Sequence, residues 1–222
     1  GLCGQGRVGP AGRLTVAATA LPVIAAALGH YDLVPWILLA GLVVTLVVAW
    51  RGAEGPAPWY GLAIVYISLA CIGFIWLRRL PGEGRELIFW LILVIWIADT
   101  GAYAAGRLIG GPKLAPKISP GKTWAGLFGG LLAAALLGVV LALFQDSGGP
   151  VKLGLLSGAL ALVAQGGDLL ESMVKRRFGA KDSGSLIPGH GGILDRVDSL
   201  LLASVVLAAV VWLDRTGGSS WL

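Results

Sequence analysis

Two short segments of this 222-residue chain repeat one arrangement of oxygen-bearing side chains. In QGGDLLES, Asp168 precedes Glu171 by three residues and Ser172 by four; in LDRVDS, Asp195 precedes Asp198 by three and Ser199 by four. Those spacings put each set on one face of a helix. Two helices that each present carboxylates and a hydroxyl supply the all-oxygen ligands that Mg²⁺ prefers, with phosphate oxygens and water completing the octahedron. Asp168, Asp195 and Asp198 are therefore the expected metal ligands. The competing reading is that these acids pair with Arg176 or Arg196, or cap a helix, and it applies with most force to Asp198 and Glu171.

Basic residues crowd the same region. Lys175, Arg176, Lys181 and Arg196 lie between or beside the acids, and Lys113, Lys117 and Lys122 form an earlier basic segment. A small metal ion alone would not call for so many cations. Several phosphates around a metal would, because Arg and Lys bind phosphate oxygens and stabilise charge that develops in phosphoryl transfer. A positive loop facing anionic lipid heads accounts for Arg51 or Arg177, but not for the Asp and Gly residues interspersed here. PGHGG (Pro188–Gly192) lets backbone N–H groups turn toward an anion just before a helix, and His190 is placed to hydrogen-bond a phosphate or shuttle a proton. SPGKT (Ser119–Thr123) lacks the spacing of a P-loop, since Pro116 stands where the first glycine belongs. It is expected instead to start a helix, with Lys122 and Thr123 in the first turn and a free N-terminus as a phosphate seat.

The elements that must carry these groups are membrane helices. The chain is 56% hydrophobic and only 13% charged, with a mean hydropathy of +0.83, whereas soluble domains carry about 25% charge. Seven apolar runs are long enough to be read as spans: Leu14–Leu28, Leu33–Trp50, Trp59–Leu77, Leu87–Ala105, Thr123–Phe144, Leu153–Leu170 and Leu194–Leu213. The fold expected is all-α, a single integral membrane bundle over residues 1–222. The 35 glycines suit close helix packing. Cys3 and Cys71 define no disulfide framework. The opening GLCGQGRVGP has no methionine, which leads to the expectation of a processed chain or a fragment.

Of the 17 Lys and Arg, only Arg78, Arg79, Arg85, Lys152 and Arg215 fall on the side opposite the two basic loops. That asymmetry orients the basic loops toward the cytoplasm. Asp99, Asp168, Asp195 and Asp198 then gather at the cytoplasmic ends of spans four, six and seven. Ionisable groups inside a membrane are costly and point to function by default.

Together these residues resemble the phosphatidate cytidylyltransferase (CDP-diacylglycerol synthase) family. Its signature, S-x-[apolar]-K-R-x4-K-D-x-[small]-x2-[apolar]-P-x-H-G-G-[apolar]-x-D-R-[apolar]-D, is matched from Ser172 through Lys175, Arg176, Lys181, Asp182, Pro188, His190, Gly191 and Gly192 to Asp195, Arg196 and Asp198. A second block, D-x-x-A-Y-x-x-G-[KR] followed by I-S-P-x-K-T, is matched at Asp99, Ala102, Tyr103, Gly106 and Arg107, then Ile118, Ser119, Pro120, Lys122 and Thr123. The match runs from about Leu87 to Leu213. Ala125 stands where family members often carry Glu, and the family usually has more N-terminal helices than this chain.

The resemblance implies transfer of a cytidylyl group from CTP to phosphatidate, giving CDP-diacylglycerol and pyrophosphate, with Mg²⁺ required and room for a second cation. It implies Lys175, Arg176, Lys181, Asp182, His190 and Arg196 as catalytic residues. Ser119, Lys122, Thr123, Ser172, Gly191, Gly192, Asp99 and Tyr103 would bind substrate. The catalytic half is expected at about residues 87–213. The partners implied are CTP, phosphatidate and membrane lipids, with a homodimer allowed and no nucleic acid. The place implied is a bacterial-type cytoplasmic membrane with the active site facing the cytoplasm. Two other readings stay open at this point: a CTP-dependent lipid or polyprenol kinase, and a transporter built on broken, glycine-rich helices.

Overall fold

The computed structural model describes residues 9–52, 56–144, 149–180, 183, 192 and 194–217. Among them are seven helices, each long and apolar enough to cross a membrane: α1 (Pro10–Ala27), α2 (Val34–Gly52), α3 (Ala57–Arg78), α4 (Gly84–Leu108), α5 (Trp124–Phe144), α6 (Pro150–Arg177) and α7 (Leu194–Gly217). The seven expected spans are all present. α1 starts four residues earlier than the apolar run suggests because Pro10 supplies a helix-ready first residue whose missing N–H costs nothing there. Its internal Pro22 is buried in the bundle. Beyond its end, the Arg79 guanidinium donates to the Ala26 and Ala27 carbonyls of the last turn.

Small residues set the packing. α5 buries Gly126, Gly130, Ala134, Gly138 and Ala142, a period of four that lets backbones approach closely where no hydrophobic force separates helix from lipid. A Cβ on Gly130 would lie 2.7 Å from the Ala98 carbonyl of α4, and one on Gly138 would lie 2.5 Å from the Leu153 carbonyl of α6. α5 is thus held between α4 and α6. α7 packs on α6 and α3, and α3 on α1. At the α6–α7 crossing, Gly167 admits the Asp198 carbonyl, 2.8 Å from where a Cβ would stand. Two buried polar groups are matched across helices: Trp90 donates its indole N–H to Ser157 Oγ (3.1 Å), and Ser204 donates to the Ala70 carbonyl (3.1 Å).

Gly129 is the tightest of these contacts, since a Cβ there would collide with Ala105 Cβ. Gly129→Val is expected to lower stability by about 1–3 kcal/mol through overpacking. A thermal melt of the detergent-solubilised protein checks this; an unchanged melting temperature would mean that α4 and α5 are looser than described.

Between α4 and α5 the chain departs from pure helix. Gly110 (φ 68°) and Gly111 (φ 90°) take the left-handed backbone that turns the chain out of α4. Strands β1 (Lys113–Ala115) and β2 (Ser119–Thr123) then pair antiparallel, Lys113 with Thr123 and Ala115 with Ser119. This corrects the expectation that Lys122 and Thr123 open the fifth helix. They end a strand, and the helix begins at Trp124. The physical reason is a cap: Thr123 Oγ1 accepts from Gly126 N–H at 3.0 Å, while Trp124 N–H reaches back to the Pro112 carbonyl at 3.1 Å. Those two bonds engage half of the four N–H groups that the first turn of α5 would otherwise leave open.

Candidate active site

The chain order places the C-terminal ends of α4 and α6, the hairpin, and the N-terminal end of α7 at one end of the bundle. Successive helices α4 to α7 run antiparallel, as contacts such as Gly129–Ala105, Gly138–Leu153 and Gly167–Asp198 require. Two lysine-centred clusters form there.

The first is centred on Lys122 of β2. Its Nζ lies 2.7 Å from Asp168 Oδ2 and donates to Gln165 Oε1 at 2.8 Å. Gln165 Nε2 in turn reaches Asp99 Oδ1 at 3.5 Å, and Ser172 Oγ donates to Asp168 Oδ1 at 3.3 Å. Asp99, Lys122, Asp168 and Ser172, chosen from three separate segments, therefore meet. Gln165 was not among the expected residues. It lies three residues before Asp168 on the same helix, a spacing that would have flagged it had an amide been counted with the charges.

The second cluster is centred on Lys175. Its Nζ lies 2.8 Å from Asp195 Oδ1 and 3.6 Å from Glu171 Oε2. Asp195 Oδ2 accepts from Ser183 N–H (2.9 Å), Ser183 Oγ (2.8 Å) and Gly192 N–H (2.7 Å). One carboxylate thereby grips two points of the connector between α6 and α7 and the lysine that faces them. α6 itself stops in a Schellman motif, with Gly179 (φ 65°) beyond the cap and Ala180 N–H bonded to the Lys175 carbonyl at 2.9 Å. Phe178 packs edge-on against Trp59 of α3, with ring centroids 5.4 Å apart. Lys181, Asp182, His190 and Gly191 lie outside the described residues.

Glu171 is the unusual member. Its side chain is only 7% exposed, and among the described residues neither carboxylate oxygen has a hydrogen-bond partner, Lys175 Nζ standing 3.6 Å from Oε2. It faces Asp198 of α7, and the Tyr66 hydroxyl of α3, also buried and without a partner among the described residues, lies near both. Two carboxyl groups so placed repel each other unless a cation or a proton lies between them. This oxygen set fits a hard cation such as Mg²⁺. Asp195 fits one poorly here, because both its oxygens are filled by nitrogen and hydroxyl donors. Asp168 is held by Lys122. Among the described residues no three His, Cys, Asp or Glu side chains converge as a ready-made metal centre, so a cation would take two protein carboxylates and draw the rest from elsewhere.

The remaining expected residues sit around these clusters. Arg176 Nε reaches the Ile118 carbonyl at 3.4 Å and ties α6 to the hairpin turn. Arg196 is exposed on the first turn of α7, and Ser119 is half-buried in β2. Tyr103 is exposed and accepts a hydrogen bond from Arg107 at 2.9 Å. Thr123 is buried and occupied as a cap. A cavity of about 300 Å³ opens beside Lys122, between α4, the hairpin and α5.

The architecture is that of a polytopic helical membrane protein with cations and carboxylates concentrated at one end. Its sequence matches the model of the Cytidylyltransferase family over residues 10–214, and the chain belongs to that family. Over 170 residues it is 44% identical to the phosphatidate cytidylyltransferases of Brucella suis biovar 1 (strain 1330) and Brucella melitensis biotype 1, covering 77% of this chain. That of Staphylococcus epidermidis (strain ATCC 12228) is 44% identical over 147 residues, or 66% of this chain and 55% of the relative. The aligned part spans 62% of the length of the Brucella relatives.

Proposed function

We propose that this chain transfers the cytidylyl group of CTP to the phosphate of phosphatidate, releasing pyrophosphate, at the cytoplasmic face of a bacterial-type inner membrane. The observation that carries this reading is the pair of lysine clusters, drawn from the hairpin, α6 and α7, at one end of a membrane bundle that belongs to a cytidylyltransferase family. A lipid phosphate oxygen attacks the α-phosphorus of CTP, and the bond from that phosphorus to the bridging oxygen of the β-phosphate breaks. The nucleophile is already an anion, so no strong general base is needed. The work is to hold two polyanions in line against their repulsion.

The chain's own groups suit that task. Lys122 is fixed by Asp168 and Gln165 rather than left to wave in solvent, which removes reorganisation cost at the moment of reaction. Lys175 and Arg176, with Lys181 and Arg196 of the signature, neutralise the triphosphate and the departing pyrophosphate. Asp195 holds the connector and Lys175 in register. Glu171 and Asp198 are the carboxylates that would hold Mg²⁺, which when bound supplies charge neutralisation to phosphate oxygens.

CTP labelled at the α-phosphorus, supplied to purified protein with short-chain phosphatidate and Mg²⁺, is expected to leave its label in the lipid. Label recovered in CDP instead would assign the chain to the kinase reading, in which a lipid hydroxyl takes the terminal phosphate.

A further inference from the structure

Resting on that reading, we infer that the cavity beside Lys122 is the seat of the lipid phosphate, that Arg107 recognises it, and that the acyl chains leave across the outer face of α4 and α5. The nucleotide then occupies the Lys175 side.

The cavity is amphiphilic. Arg107 and Lys122 stand on its walls together with Leu114 and Leu127, and Gly106 and Gly126 keep its lining low. Arg107 differs from the two site lysines. Lys122 and Lys175 each have a carboxylate partner within 3 Å. Arg107 has none among the described residues; its contacts are the Tyr103 hydroxyl at 2.9 Å and the Tyr103 ring, 6.0 Å from the guanidinium carbon. Most of its donors therefore remain for an anion, and a guanidinium presents them in a fork that matches a phosphate.

Immediately outside the cavity the surface is apolar. Leu108 (85% exposed) and Ile109 (75%) end α4, and Trp124 and Phe128, stacked with centroids 6.1 Å apart, begin the outer face of α5. A ligand seated here meets cations at its head and a lipid-facing apolar strip at its tail. A phosphate monoester carrying acyl chains uses both. A nucleotide gains nothing from the strip, and its phosphates are better met by the Lys175 cluster.

The test compares wild type with Arg107→Gln in nanodiscs. Dioctanoyl phosphatidate, radiolabelled and without CTP, is expected to bind wild type and to lose at least about tenfold in affinity in the variant, the loss of a charge-assisted phosphate contact. In turnover, KM for dioctanoyl phosphatidate should rise by a similar factor while KM for CTP and kcat hold, and Arg107→Lys should recover part of the loss. Glycerol 3-phosphate, which has the head without the chains, should compete weakly. Arg107 is on the surface, so the substitution leaves the bundle intact; Leu127→Trp, which fills the cavity, should give the same lipid-specific defect. A rise in KM for CTP instead of the lipid, or unchanged lipid binding in both variants, overturns the inference. Arg107-dependent lipid binding by a wild type that forms no CDP-diacylglycerol would keep the lipid seat and overturn the proposed reaction.

Discussion

Asp195→Asn is expected to reduce turnover by about three orders of magnitude and to lower the melting temperature as well, effects whose sizes follow from what the carboxylate holds. Lys175 sits 2.8 Å from one oxygen, and three donors from Ser183 and Gly192 converge on or near the other. Asparagine keeps one acceptor but sets an NH₂ group against a lysine or against backbone N–H groups, so one set of donors must be abandoned. Both side chains of the ion pair are less than 15% exposed. Removing one partner of such a pair typically costs about 3–5 kcal/mol, and the lower end applies because Glu171 remains 3.6 Å from Lys175. A double-mutant cycle with Lys175→Met separates the pair from the connector. If Asp195 served only to neutralise Lys175, the double variant would regain stability and activity together. If it also anchors Ser183 and Gly192, stability should return in part while turnover stays low. Wild-type activity and melting in Asp195→Asn would refute the anchoring role outright.

Lys122→Met comes next, with kcat expected to fall by about 10²–10³-fold, the usual loss when a preorganised charge donor is removed from a reacting phosphate. Stability should change little. Asp168 is 33% exposed, and solvent screens the carboxylate that the lysine leaves behind. Lys122→Arg separates charge from geometry: it keeps the cation but cannot place one nitrogen between Asp168 Oδ2 and Gln165 Oε1. Only partial recovery of kcat is expected. Steady-state kinetics at saturating CTP and lipid provide the readout, and a variant that retains full kcat would remove Lys122 from the chemistry.

The seven helices were legible in the sequence because each is a long apolar run, a signal that survives local irregularity. The hairpin was not. Its strands are three and five residues long, and the second is SPGKT, whose proline and glycine read as helix punctuation. The gathering of Asp99, Lys122, Asp168, Lys175 and Asp195 at one end followed from topology and charge. Their partners did not. Asp168 and Glu171 share a helix face by spacing, yet three residues still turn the helix by about 60° net, enough for one to face the hairpin and the other α7. The donors that fill Asp195 include backbone N–H groups, which every residue carries and no side-chain pattern announces. Tyr66 sits in an unbroken apolar segment, where a single tyrosine raises no signal at all.

The period-four seam on α5 bears on how the molecule breathes. With its glycines pressed against carbonyl groups of α4 and α6, α5 has no side-chain cushion to compress, so α4, α5 and α6 must travel as one stiff plate. The equally close contact at Gly167 ties α7 to α6, so movement against that plate falls to the hairpin, which leaves α4 through Gly110–Gly111.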